Sequence, residues 1–132
     1  MQQKVLIVDD DRIVADTLAM VLRKRGFDCR VTYSGAEALA LSKEFCPEFL
    51  VGDISLADMN GLEVVSTITE LCPGCRVLLL IGRYYNLGVA RQWIRSQHVP
   101  ARILTKPLAP ALLLREMEAL GRAGASAGSD PH

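Results

Sequence analysis

The strongest constraint on the fold is a rhythm of short apolar runs separated by stretches with helical periodicity. Val5–Val8, Phe49–Val51 and Val77–Ile81 are unbroken apolar runs of strand length, and Cys29–Tyr33 and Arg102–Thr105 read as weaker strands. Between them, Ile13, Val14, Leu18, Val21 and Leu22 recur at helical spacing until Gly26 stops the helix. Ser34-Gly35-Ala36-Glu37 is a capping box opening a helix through Glu44, which Cys46-Pro47 ends. Asn60-x-x-Glu63 opens another to Leu71, Asn86 caps one to about Gln97, and Pro110 begins a last one to about Leu120. Strands alternating with helices in this way predict an α/β fold: a doubly wound, five-stranded parallel sheet with five helices over both faces.

Half of the 132 residues are apolar, enough to close one core without a metal or disulfide staple. A single domain is expected over residues 1–120, with the small, polar stretch 121–132 as a disordered tail. Lys and Arg balance Asp and Glu at 15 each, which removes the simplest case for a nucleic-acid binder. The balance hides a split: residues 1–66 carry 7 basic and 11 acidic side chains, residues 67–132 carry 8 and 4. No apolar run approaches the roughly 20 residues a membrane helix needs, and Met1-Gln2-Gln3-Lys4 does not open a secretory signal. A cytoplasmic protein without membrane attachment is expected, with Cys29, Cys46, Cys72 and Cys75 as reduced thiols. Cys72-Pro73-Gly74-Cys75 follows a helix instead of opening one, so it reads as a turn and not a redox dithiol.

Chemistry concentrates at the strand ends. Asp9, Asp10 and Asp11 follow the first strand, Asp53 ends the third, and Lys106 ends the fifth. In an open α/β sheet, ligands bind beyond the carboxyl ends of the strands. Asp11 suits the N-cap of the first helix. Asp9, Asp10 and Asp53 would converge if their strands are neighbours, and a cation must then offset the like charges. An all-oxygen set of this kind suits Mg²⁺.

Three motifs in order make the chain resemble a response-regulator receiver domain over about residues 3–120. They are Val5-Leu6-Ile7-Val8-Asp9-Asp10-Asp11, then Asp53-Ile54-Ser55-Leu56-Ala57-Asp58-Met59-Asn60-Gly61-Leu62-Glu63, and last Thr105-Lys106-Pro107. The resemblance implies a flavodoxin-like sheet of strand order 2-1-3-4-5 and a cis Lys106–Pro107 bond. It implies Asp53 as phosphoacceptor for a histidine kinase or phosphotransfer protein. It further implies Mg²⁺ on Asp9, Asp10, Asp53 and the Ser55 backbone carbonyl, with Lys106 on the phosphoryl group. Outputs would pass through protein contacts or a homodimer at the helix 4–strand 5–helix 5 face, where Arg91, Arg95, His98, Arg102 and Arg115 lie. With no DNA-binding or catalytic output segment in the sequence, no nucleic-acid partner and no enzymatic turnover are expected.

The chain departs from the family at its switch. Ile81 stands where receivers usually place Ser or Thr, and Ile103 where they usually place Tyr or Phe; Ala57 replaces a common Pro. Isoleucine donates no hydrogen bond, and one to a charged acceptor is worth about 1.5–3 kcal/mol. Arg83 is the candidate auxiliary donor, against a simple solvent-facing role, and Tyr84 and Tyr85 are candidate substitute aromatics. Two other readings stand beside phosphotransfer: a degenerate receiver acting as a phosphorylation-independent adaptor, and a haloacid-dehalogenase-like phosphatase. The phosphatase start fits Asp9-Asp10-Asp11, but its late acidic motif should follow the lysine, whereas Asp53-x-x-x-x-Asp58 precedes Lys106.

Overall fold

In the computed structural model, which describes residues 2–126, every expected strand and helix forms. The order is β1 (Lys4–Val8), α1 (Arg12–Lys24), β2 (Asp28–Thr32), α2 (Gly35–Ser42), β3 (Phe49–Asp53), α3 (Gly61–Leu71), β4 (Arg76–Ile81), α4 (Leu87–Ser96), β5 (Ala101–Thr105) and α5 (Pro110–Ser126). The five strands form one parallel sheet in the order β2-β1-β3-β4-β5. The helix starts are local affairs. Asp11, Ser34, Asn60 and Asn86 each lend a side-chain oxygen to an orphan amide, of Val14, Glu37, Leu62 and Gly88 respectively. Gly26, at φ 91°, ends the α1 segment in the left-handed region that residues with a Cβ avoid.

Alternation along the central strands divides the core into two layers. Leu6, Val8, Leu50, Leu79 and Ile81 face α2, α3 and α4, where Ala38, Val64, Val65, Ile68 and Ala90 are buried. Val5, Ile7, Val51, Leu78 and Leu80 face α1 and α5, meeting Ala15, Leu18, Leu22, Leu113 and Met117. Burial on both faces is why β1, β3 and β4 read as unbroken apolar runs. At the sheet edge, β5 is only half covered, and α4 buries a single residue, Ala90, fully. Trp93 anchors α4 to α3 by donating its indole N–H to Ser66 Oγ at 2.8 Å.

Three expectations need correction. Ile13, one of the apolar residues read at helical spacing in α1, is 80% exposed, because it stands on the opposite side of the helix from the buried Ala15, Leu18, Ala19 and Leu22. The last helix continues past Leu120 to Ser126. Alternating Ala and Gly in 121–126 weaken a helix but do not break one already docked through Leu113, Met117 and Leu120. The remainder of the expected tail, 127–132, lies outside the described residues. Finally, the cysteines are not all reduced: Cys46 and Cys72 form a disulfide, leaving Cys29 and Cys75 as buried thiols. The bond joins the α2–β3 turn to the C-cap of α3, two points that packing of α2 against α3 brings together and that no local sequence pattern marks. Cys72-Pro73-Gly74-Cys75 is the expected turn, closed by the Cys75 amide on the Cys72 carbonyl at 3.0 Å. Among the described residues, no helix is long and apolar enough to cross a membrane.

Candidate functional site

The parallel register brings the carboxyl ends of β1, β3 and β5 to one edge of the sheet. There Asp9, just past β1, is fully buried and Asp53, closing β3, is 4% exposed. Asp10 is exposed, yet ligand oxygens of Asp9, Asp10 and Asp53 all lie within 4.8 Å of one another. Lys106, following β5, sets its Nζ 2.8 Å from Asp9 Oδ2 and 3.0 Å from Asp53 Oδ2. Its backbone donates to the Ile81 carbonyl at 2.8 Å, so main chain and side chain together fix this lysine. The Lys106–Pro107 bond is cis, as expected.

Each carboxylate is oriented by neighbouring amides. Asp9 Oδ1 accepts from the Asp11 N–H at 3.0 Å, and Asp53 Oδ1 accepts from the Ser55 N–H at 2.9 Å. Asp10 Oδ2 accepts from the Ala57 N–H at 2.9 Å, a donor that a proline at 57 would lack. Gly61 begins α3 directly against the backbone of Asp53 and Ile54, leaving no room for a Cβ.

The electrostatics follow from burial and crowding. Burial raises the Asp9 pKa and the Asp53 charge adds to it, against the lowering effect of Lys106 and the Asp11 amide. Burial alone would favour neutral Lys106, but the hydrogen bonds and charges of Asp9 and Asp53 outweigh it and hold the ammonium above its usual pKa. Three carboxylates against one ammonium leave an excess of negative charge. Asp9 Oδ2 has the Lys106 ammonium at 2.8 Å as its partner and is otherwise buried. Three converging carboxylates that offer oxygen alone, with one ammonium against them, are what a hard divalent cation satisfies, so the residues fit Mg²⁺.

The structure therefore brings Asp9, Asp10, Asp53 and Lys106 together, with Ser55 beside them. The remaining expected positions surround the site without entering it. The Ile81 side chain is buried in the core layer under α4, and Ile103, half-buried, packs against the same layer with Tyr85. Arg83 is exposed and, among the described residues, has no ion-pair partner; Tyr84 is 92% exposed. Arg91, Arg95, His98, Arg102 and Arg115 are all exposed around α4, β5 and α5, and Arg102 approaches Glu116 at 3.9 Å. Sequence reasoning named Asp58 only within motifs and missed its capping role: its two carboxylate oxygens accept from the Gly35 and Ala36 amides at 2.9 and 3.1 Å. Those backbone bonds at the N-terminus of α2 lower its pKa. Asp58 thus caps a helix and stands apart from the acidic cluster, which removes the phosphatase-like use of Asp53-x-x-x-x-Asp58.

Comparison with known proteins agrees with this geometry. The family model described as the response regulator receiver domain matches residues 5–118. The photosynthetic apparatus regulatory protein RegA of Cereibacter sphaeroides is 39% identical over 80 residues, covering 61% of this chain and 44% of that protein. The chain thus matches less than half the length of this relative. A CheY-like response regulator receiver domain protein from Methanospirillum hungatei superposes with a TM-score of 0.83 at 27% identity, covering 92% of this chain and 96% of that one. A response regulator protein from Burkholderia pseudomallei, solved with a phosphorylated aspartic acid, calcium ion and citrate, superposes with a TM-score of 0.79 at 27% identity. That match covers 97% of this chain and 72% of that one.

Proposed function

The chain belongs to the response regulator receiver domain family, and on that premise we propose that Asp53 is the phosphoacceptor of a two-component phosphorelay. The donor is a phosphohistidine on a sensor histidine kinase or phosphotransfer protein. An Asp53 carboxylate oxygen attacks phosphorus, the phosphorus–nitrogen bond breaks, and the imidazole leaves with the bonding pair and takes up a proton. Asp9, Asp10, Asp53 and the Ser55 carbonyl would hold Mg²⁺, which supplies positive charge opposite the transferring phosphoryl oxygens. Lys106 releases its bond to Asp53 Oδ2 and takes a phosphoryl oxygen in its place.

One observation carries this reading: Lys106 Nζ bridges Asp9 and Asp53 at the edge where Asp10 completes the acidic group. Two buried carboxylates tied to one lysine are poor solvated turn residues but a ready receptor for a cation and a phosphoryl group. We read the domain as a stoichiometric signal carrier in the cytoplasm, without catalytic turnover of small phosphate esters. Its output would be a protein partner or a second copy at the α4–β5–α5 face, where the arginines suit an acidic surface. The test is intact mass after incubation with acetyl phosphate and Mg²⁺. A gain of about 80 Da, one phosphoryl group, is expected in the wild type and not in Asp53→Asn. Equal labelling of both proteins, or of neither, would overturn the assignment.

A second reading, the phosphorylation-independent adaptor, is favoured by one specific feature. Ile81 and Ile103 offer neither a hydroxyl nor an aromatic ring to couple the phosphoryl group to α4 and β5. The intact carboxylate–lysine set weighs the other way, toward phosphotransfer with a blunted conformational response.

A further inference from the structure

The Cys46–Cys72 pair has no part in phosphoryl chemistry, yet it encloses the whole phosphoacceptor segment. The two cysteines are 26 positions apart, and between them lie β3 with Asp53, the loop carrying Ser55 and Ala57, and all of α3. We propose that Cys46–Cys72 is a reversible thiol–disulfide site that sets how firmly the far end of α3 is held to the domain.

Exposure points to reversibility. Cys46 lies exposed in the α2–β3 turn, whereas Cys72 is 4% exposed at the α3 C-cap. Disulfides with an accessible sulfur are the labile ones, because exchange requires in-line approach of a thiolate. The other two cysteines are 4% exposed at Cys29 and 1% at Cys75. Burial pushes their thiols up to about 11 and about 12, against small opposing effects from Arg23 and Arg76. Protonated thiols are not nucleophiles. Cys75 therefore leaves the bond alone, although its turn places it three residues from Cys72. Both redox states also have a place to sit. The Ser42 carbonyl lies 3.7 Å from the Cys46 sulfur and 3.8 Å from the Cys72 sulfur, so an acceptor awaits the two S–H groups that reduction creates.

The reductant is of the dithiol class. Its thiolate attacks Cys46 Sγ, the sulfur–sulfur bond breaks, and Cys72 leaves as a thiolate that takes a proton. The second thiol of the reductant then attacks its own sulfur in the mixed disulfide and releases Cys46 as a thiol. Two electrons pass from dithiol to protein, and the reductant ends as a disulfide; the reverse reaction remakes the bond.

The mechanical consequence lies in α3. One end is seated on the backbone of Asp53 and Ile54 through Gly61. The other is tied to the α2–β3 turn by the disulfide, and opening the bond removes that covalent tie, leaving side-chain packing and the Cys72–Cys75 turn into β4 to hold it. The site stands whether or not Asp53 is phosphorylated, so its test uses no phosphoryl donor. The full chain is equilibrated with oxidised or reduced dithiothreitol, denatured and alkylated with iodoacetamide, and weighed. Two alkyl groups are expected in the oxidised sample and four in the reduced one, with a non-reducing peptide map linking Cys46 to Cys72. Cys46→Ser, a change at an exposed position, is expected to carry three in both conditions. Hydrogen exchange at the amides of Thr67–Leu71 is expected to be about fivefold or more faster in the reduced wild type than in the oxidised one. Cys46→Ser is expected to match the reduced rate in either buffer. Four alkyl groups after oxidation, a bridge between other cysteines, or equal exchange in the two states would overturn the proposal.

Discussion

Replacing Asp9 with Asn removes a fully buried charge from beneath Lys106 while keeping the side chain's shape. Burial lifts the folded-state pKa of Asp9 above its ordinary value near 3.8, so the unfolded chain releases this proton first as pH rises. Any such group favours the folded state below the unfolded pKa and loses that advantage as pH climbs through the folded value. Asp9→Asn is therefore expected to match the wild type at about pH 3.5 and to exceed it increasingly toward about pH 7. Urea unfolding in a chelator across that range reads the difference; a wild type that gains on the variant as pH rises would contradict it. Lys106 is shifted in the same direction, but its window lies at alkaline pH. Held above its usual pKa by two carboxylates, it contributes stability at neutral pH that is lost only as pH rises through its folded value. Lys106→Met is expected to cost about 2 kcal/mol, below the range for fully buried pairs because 24% of the side chain is exposed. Saturating Mg²⁺ should recover part of that loss, seen as a larger Mg²⁺-induced rise in melting temperature than in the wild type. These residues were legible in the sequence because strand ends in a parallel sheet share one edge. The capping role of Asp58 was not, because its partners Gly35 and Ala36 belong to another helix start and leave no mark at position 58 itself.

Among the elements, α3 is the most constrained, with its first residue pressed against the strand that carries Asp53. Gly61→Ala is expected to destabilise the domain by 2 kcal/mol or more, about the cost of forcing a Cβ into packed backbone. It should also weaken Mg²⁺ stabilisation, since Ile54 and Asp53 must shift to make room; a melting temperature and Mg²⁺ response equal to wild type would refute this. Helix starts were readable because a cap is a bond between residues two or three apart, as at Asp11, Ser34, Asn60 and Asn86. Helix ends and crosslinks were not. The extension of α5 depends on docking that begins at Leu113, and the Cys46–Cys72 bond depends on how α2 lies against α3. The exposure of Ile13 is different in kind: it stands about half a turn round α1 from Ala15, Leu18 and Leu22, so helical periodicity itself places it outside the buried face.

For the molecule as a whole, the aliphatic pair Ile81 and Ile103 predicts a local response to activation. Beryllofluoride with Mg²⁺ is expected to shift amide resonances around Asp9, Asp53–Asn60 and Lys106, and to leave the Ile81 and Ile103 methyl groups nearly unmoved. Spectra identical with and without beryllofluoride would favour the adaptor reading, and large shifts across α4 and β5 would show a switch carried by other residues. The division of the core into two layers shapes what a partner can sense. The sheet is a partition: the disulfide, Cys75 and α4 lie on one side of it, and Cys29, α1 and α5 on the other. A disturbance in one layer has no packed route into the other except through strands buried on both faces. The β5 edge is a seam where both layers reach the surface, α4 from one and α5 from the other. A protein seated across that seam would feel the sum of two separately insulated halves, and one seated on either flank would hear only its own.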